Sequence, residues 1–214
     1  MSSVVVIDYG MGNLHSIAKA LQHADHAVSV TVSADPAVIA QADRVVFPGV
    51  GAMRDCMQAL QASGLDQVIK QVAQTKPLLG ICLGMQALLS DSEEGGFIPC
   101  LNLFPGHVRR FADDLHDVHG ERLKIPHMGW NQVQQHPHPL WDGIPQDSRF
   151  YFVHSYYAIP DQAAHTIATS EYPQAFTCAI ARDNIFAVQF HPEKSQTVGL
   201  RLLHNFLNWN GKPN

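Results

Sequence analysis

Clustered positive charge is missing from this chain. Its 214 residues carry 14 Lys and Arg against 19 Asp and Glu, a formal net charge of −5, and Arg109-Arg110 is the densest basic pair. That leaves no electrostatic footprint for nucleic acid or for an anionic membrane. Long apolar runs are missing too: none approaches the ~18–20 residues needed to cross a bilayer. Met1-Ser2-Ser3 runs straight into an apolar stretch, without a positive n-region or a small-residue cleavage site, so no signal peptide is expected. Cysteine is sparse. Cys56, Cys82, Cys100 and Cys178 are widely spaced and form no CxxC pair. That pattern argues against a disulfide framework and a structural zinc site, and fits a reduced, cytoplasmic setting. Histidine is plentiful at 13, yet only His136-Pro137-His138-Pro139 brings two close together. That stretch reads as a surface loop, and no motif asks for a metal or an organic cofactor.

What is present describes an ordinary globular protein. A hydrophobic fraction of 46% and a charged fraction of 15% suit a chain that buries a large core, and no repeat or linker divides residues 1–214. The first half alternates strand and helix signals, which implies a mostly parallel sheet flanked by crossover helices. Val4-Val5-Val6-Ile7, His26 to Val32, Arg44 to Phe47 and Pro77 to Ile81 read as strands. Between them, Leu14 to Ala24 has helical spacing, Asp35-Pro36 starts a helix with an aspartate cap, and Met57 to Val72 is helical with a break at Ser63-Gly64. Leu83 to Leu89 is a further helix. From Phe104 to Phe190 β-prone runs and turn residues dominate, so the sheet is expected to be mixed. Phe150 to Ile159 and Ile185 to Phe190 are the clearest strands, Asp183-Asn184 is a hairpin turn, and an amphipathic helix through Val198, Leu202, Leu203, Phe206 and Leu207 closes the chain.

The chemistry concentrates at the ends of strands. Gly80-Ile81-Cys82-Leu83-Gly84-Met85-Gln86 sets a cysteine between a buried strand and a helix, with small residues on both sides, as in a nucleophile elbow. A cysteine at a helix N-terminus is favoured as thiolate, and the free N–H groups there suit an oxyanion. By itself this motif is equally compatible with a buried structural cysteine. His191-Pro192-Glu193 follows another apolar strand, and residues two apart on a strand face the same way. His191 is then the base that takes the thiol proton and later protonates the leaving group, and Glu193 holds the imidazole. Pro48-Gly49-Val50-Gly51 ends a third strand at the same sheet edge. Its two glycines free the backbone to aim an N–H at an oxyanion, although a plain strand-to-helix turn has equal weight. Gly10-Met11-Gly12 after the first strand lacks the third glycine of a dinucleotide fingerprint.

Together these motifs resemble the triad-type (class I) glutamine amidotransferases, and the resemblance covers the whole chain. Four longer strings resemble the branch of that family serving imidazole glycerol phosphate synthase in histidine biosynthesis. They are Ile7-Asp8-Tyr9-Gly10-Met11-Gly12-Asn13-Leu14, His127-Met128-Gly129-Trp130-Asn131, Phe152-Val153-His154-Ser155-Tyr156-Tyr157 and Gln189-Phe190-His191-Pro192-Glu193-Lys194-Ser195. The resemblance implies a flavodoxin-like α/β fold and a Cys82-His191-Glu193 triad that cleaves L-glutamine through a glutamyl thioester. It implies that Gly49, Val50, Gly51, Leu83, Gln86, Ser155 and Tyr156 surround the substrate, and that Asn13 and Lys194 lie at the interface with a (β/α)₈-barrel cyclase in a heterodimer. It further implies that the Val50 peptide turns to complete the oxyanion hole only when that partner is liganded. A glutaminase feeding another synthetase is the alternative, and the strings around His127 and His154 weigh against it. Pro99-Cys100-Leu101-Asn102-Leu103-Phe104 departs from the family's usual Gly/Leu-rich stretch, which puts only the local packing there in doubt.

Overall fold

In a computed structural model, which describes residues 2–212, twelve strands form one mixed sheet and two more form a separate ribbon. The parallel half is built from β1 (Ser3–Ile7), α1 (Leu14–Ala24), β2 (Ser29–Ser33), α2 (Pro36–Gln41), β3 (Arg44–Phe47), α3 (Met53–Ser63), α4 (Leu65–Val72), β4 (Leu78–Ile81) and α5 (Leu83–Gln86). Short β5 (Asp91–Ser92) and β6 (Ile98–Pro99) precede β7 (Gly106–Arg110), β8 (His127–Gln132) and β9 (Gln134–Gln135). Then come β10 (Arg149–His154), β11 (Tyr156–Pro160), β12 (Thr166–Glu171), β13 (Ala175–Arg182), β14 (Ile185–Val188) and α6 (Gln196–Asn208). The main sheet runs β2-β1-β3-β4-β14-β13-β11-β7-β5-β6, with β12 and β9 branching from β13; β8 and β10 form the ribbon.

Two-sided burial explains the parallel part. Val4 and Val6 enter one core with Ile17 and Leu21 of α1 and Leu202, Leu203 and Phe206 of α6. Val5 and Ile7 enter the other, with Ile39, Met53, Leu60 and Ile69 from α2, α3 and α4. Strand alternation thus feeds both faces, as a sheet covered by helices on both sides requires. β14 completes the motif-bearing edge: it lies parallel to β4 and antiparallel to β13. The two-residue turn between β13 and β14 holds Asp183 at a φ of +53°.

Several boundaries moved, each for a local reason. β2 starts at Ser29 because the Asp25 carboxylate takes the Ala27 N–H at 2.9 Å and makes a turn of the preceding residues. Asp35 caps α2 as expected, accepting from the Ala37 N–H at 2.8 Å. Gly64, with a φ of +71°, divides the long helical stretch into α3 and α4. The expected strand Phe150 to Ile159 is two strands in different sheets, changing sheet at Ser155. The helix after Cys82 is a single regular turn. Beyond it, the carbonyls of Ala87, Leu88 and Leu89 accept from the N–H groups of Leu101, Phe104 and Asn102 at 2.8–2.9 Å. The unusual segment 99–104 therefore clamps the end of the helix that follows Cys82, with Leu101 and Phe104 buried in the core.

The His136–Pro139 stretch is not simply a surface loop. His138 is half-buried, accepts the Leu140 N–H at 3.2 Å, and packs 4.7 Å from the Phe186 ring and 5.4 Å from that of Trp209. Burial pushes its imidazole down to about 4. No three His, Cys, Asp or Glu side chains among the described residues come together as ligands for a metal ion, and none of the described helices is long and apolar enough to cross a membrane.

Candidate active site

The ends of β3, β4 and β14 converge on a cavity of about 300 Å³ with Cys82 in its wall. Cys82 sits at a φ of +54°, a left-handed conformation that costs a non-glycine residue energy and is typical of a nucleophile elbow. The flanking glycines allow it. A Cβ on Gly80 would lie 2.9 Å from Ala187 Cβ, and one on Gly84 would fall onto the Phe47 carbonyl oxygen. Because α5 is so short, the helix dipole contributes little, and the chemistry must come from individual groups.

His191 supplies the first. Its side chain is 3% exposed and that of Glu193 1% exposed, and Nδ1 lies 2.9 Å from the Glu193 carboxylate. The arrangement differs from the expected one: residues 192–194 form a tight 3₁₀ turn, which folds Glu193 back onto His191. Since a carboxylate only accepts, Nδ1 donates to Glu193, and Nε2 is the nitrogen left to exchange a proton with the cavity. Nε2 is buried and makes no hydrogen bond, and His191 lines the cavity beside Cys82. Burial opposes protonation of this imidazole, but the charges of the adjacent Cys82 and Glu193 and the Glu193 hydrogen bond prevail and raise it to about 10, so the imidazolium is the favoured form near neutrality.

The glycine loop closes the opposite side. Leu83 donates its backbone N–H to the Gly49 carbonyl at 3.3 Å. A Cβ on Gly49 would lie 2.6 Å from the Tyr9 hydroxyl and 2.8 Å from Leu83 Cβ, so only glycine fits between the loop and the elbow. The Tyr9 hydroxyl, buried beneath the loop, donates to the Pro48 carbonyl at 2.9 Å. Gly51 holds a φ of +97°, and Val50 and Gly51 face the cavity whereas Gly49 lies behind it.

Gln86 lines the cavity and is locked by its amide nitrogen, which donates to the Tyr156 carbonyl at 3.0 Å and to Gln189 Oε1 at 2.8 Å. Tyr156 also accepts from His154 Nδ1 at 2.8 Å, so its carbonyl is occupied within the protein. Behind it, His154 Nε2 accepts from His127 Nδ1 at 2.9 Å, and His127 Nε2 accepts from Asn131 at 3.2 Å. Only neutral imidazoles satisfy this chain. Burial accordingly lowers His127 to about 4 and His154 to about 3.

Of the residues singled out from sequence, Cys82, Leu83, Gln86, Val50, Gly51, Ser155, Tyr156, His191 and Lys194 line one cavity, and Glu193 stands directly behind His191. Lys194 is exposed, its Nζ 5.8 Å from the Tyr151 ring centroid. Asn13 is exposed at the start of α1, outside the cavity wall. Four residues at the site were given no role by sequence reasoning: Tyr9, Glu94, His154 and Gln189. Glu94 lines the cavity while accepting the Met53 N–H at 2.9 Å, and burial raises its pKa. The acidic pair Glu93-Glu94, in a chain poor in charge, was the one available signal.

Residues 5–209 match the family model described as glutamine amidotransferase class-I. A relative from Methylococcus capsulatus, named imidazole glycerol phosphate synthase subunit HisH, is 64% identical over 98% of this chain and 97% of its own. Another of that name, from Nitrosococcus oceani, is 58% identical over 99% of both chains. The solved structure of a glutamine amidotransferase from Thermotoga maritima superposes with a TM-score of 0.60 over 90% of this chain and 76% of that one. At 17% identity, that likeness concerns the fold.

Proposed function

The chain belongs to the class-I glutamine amidotransferases, and from that membership we propose that it is the glutaminase subunit of an imidazole glycerol phosphate synthase. We read residues 1–214 as one amidotransferase domain working in the cytoplasm. In this reading Cys82 Sγ attacks the side-chain carbonyl of L-glutamine, and His191 Nε2 takes the thiol proton. The tetrahedral intermediate collapses as His191 returns that proton to the departing ammonia, leaving a glutamyl thioester. Water, deprotonated by His191, then releases glutamate. Glu193 holds the imidazole in the tautomer that serves both steps. Gln86 and Glu94 bind the substrate's polar backbone groups beside Ser155 and Tyr156.

The observation that carries this reading is the buried 2.9 Å pairing of His191 Nδ1 with Glu193, which leaves Nε2 free beside Cys82. Oxyanion stabilisation needs the Leu83 N–H, and in the resting chain that group is engaged by Gly49. Turning of the Gly49–Gly51 loop would release it. The ammonia passes to a (β/α)₈-barrel cyclase, which uses it to form imidazole glycerol phosphate and the purine-precursor ribotide AICAR. Docking of such a partner is supported by exposed apolar side chains: Val50 at 41% in the cavity wall, and Met128 at 65% and Trp130 at 40% on β8. Asn13 and Lys194 are assigned to that interface.

The test is ammonia release from glutamine by the chain alone, with the cyclase, and with the cyclase plus its ribonucleotide substrate. Release that rises strongly in the last mixture and vanishes in Cys82→Ser is expected. Equal rates in all three mixtures would overturn the control by the loop, and an active Cys82→Ser would overturn the triad.

A further inference from the structure

We infer that Gln189 belongs to the catalytic apparatus, its side-chain amide serving the sulfur of Cys82 on one side and the amide of Gln86 on the other; this rests on the glutaminase reading above. Gln189 follows β14 directly, is fully buried, and is fixed by its own backbone N–H, which donates to Cys178 at 2.8 Å. Its Oε1 accepts from Gln86 Nε2 at 2.8 Å, and its Nε2 donates to Cys82 Sγ at 3.7 Å.

The direction of these bonds is forced. The atom of Gln86 that faces the Tyr156 carbonyl must be a donor, so it is the nitrogen, and Gln86 Oε1 is left for the cavity it lines. The second hydrogen of that nitrogen needs an acceptor, which is Gln189 Oε1. Gln189 must then turn its own nitrogen toward the sulfur. Two amides, both orientations set by one backbone carbonyl, thus deliver a donor to the nucleophile and an acceptor to the substrate site. A donor on sulfur favours the charged form over the neutral thiol, and a carbonyl oxygen fits the α-ammonium of an amino-acid substrate. His191 contributes charge to the sulfur; Gln189 contributes a neutral hydrogen bond to the same atom.

Two substitutions separate the roles. Gln189→Glu keeps an acceptor for Gln86 but removes the donor to sulfur. Gln189→Leu removes both. The assay uses the complex with the cyclase and its ribonucleotide, measuring kcat and KM for glutamine and the pH profile of iodoacetamide alkylation at Cys82. For Gln189→Glu, kcat should fall about ten- to hundredfold, the loss expected for one hydrogen bond to a charged group. Its KM should stay within about twofold, and the alkylation midpoint should rise by about one pH unit or more. Gln189→Leu, which removes the donor without adding a charge, should also raise the midpoint, by less than Gln189→Glu, and should raise KM about tenfold. An unshifted alkylation midpoint in Gln189→Glu overturns the inference, even if turnover falls. If Gln189→Leu fails to fold, the uncharged Gln189→Met takes its place, and an unshifted midpoint there overturns the inference. The glutaminase reading fails separately, if Cys82→Ser retains turnover; an inactive Cys82→Ser with an unshifted Gln189→Glu profile defeats only this inference.

Discussion

The backbone N–H of Leu83 points at the carbonyl of Gly49, 3.3 Å away. It is the first N–H after Cys82; in the proposed mechanism negative charge develops beside it on the attacked amide, and in the resting chain it is engaged by a neighbouring loop. In that mechanism the bond must break before the oxyanion can be stabilised, which makes it a brake on turnover. Its position between the elbow and the glycine loop also sets strict limits on side-chain size.

Gly49→Ala tests that limit. The added Cβ would meet the Tyr9 hydroxyl at 2.6 Å, Leu83 Cβ at 2.8 Å and the Gly84 nitrogen at 3.0 Å. Two of these belong to the elbow, so the loop must be displaced from it. Overpacking of this kind costs about 1–3 kcal/mol. A lower urea midpoint is expected, together with partner-stimulated glutaminase reduced at least about tenfold. Unchanged values of both would mean that the loop has room that its geometry denies.

Glu193→Gln should leave the fold intact and reduce turnover by roughly 10²–10⁴-fold, the scale seen when a buried carboxylate behind a catalytic imidazole is neutralised. The stability consequence has a definite sign. His191 is raised in the folded state from 6.5 to about 10. Its contribution is therefore complete below pH 6.5 and is lost as pH rises through about 10. The wild-type urea midpoint should fall between pH 7 and 10, more steeply than that of Glu193→Gln. Parallel profiles would contradict the pairing.

Acid acts through other histidines. His127, His138 and His154 are lowered by burial to about 4, about 4 and about 3. The unfolded chain then binds more protons than the folded one below pH 6.5, and stability is lost as pH falls from there toward 4. Each histidine contributes a slope of up to about 1.4 kcal/mol per pH unit. His138→Asn keeps a side-chain acceptor for the Leu140 N–H and removes the titration. It should flatten the slope of unfolding free energy between pH 6.5 and 4.5 by about one histidine's share, read from urea melts at several pH values.

Tyr9→Phe preserves ring packing against Phe47, whose centroid lies 5.7 Å away, but deletes the hydroxyl that serves the Pro48 carbonyl. Leaving a buried carbonyl without its donor costs about 1–3 kcal/mol. A urea midpoint within error of wild type would show that Pro48 finds another partner.

Some of this was legible in residue order and some was not. Segment 99–104 departs from its family's composition and was expected to matter only locally, yet its N–H groups secure the end of α5. No pattern in residues 99–104 announces a partner at residues 87–89. His191 and Glu193 were expected to share a strand face; they meet because Pro192 starts a tight turn, and the distinction changes the geometry without changing the pair. Gln189 stood within a quoted motif and Tyr9 within another. Neither carries a charge or spacing that advertises a role, because a buried hydroxyl or amide acquires one only from what it touches.

Residue order alone determined the local pieces. Val4 through Ile7 must be a strand covered on both sides, since every residue in it is apolar. Gly80 and Gly84 permit a sharp turn at Cys82, Asp35-Pro36 starts a helix, and Gly64 ends one, all through near-neighbour sterics and hydrogen bonds. Tertiary structure decided what those pieces do together. It brought β14 beside β4, so that Cys82 and His191 share a cavity, and it set the Gly49 carbonyl on the Leu83 N–H and the Gln189 amide on the sulfur. These contacts span distant parts of the chain, and their energies depend on burial and orientation that exist only once the sheet has formed.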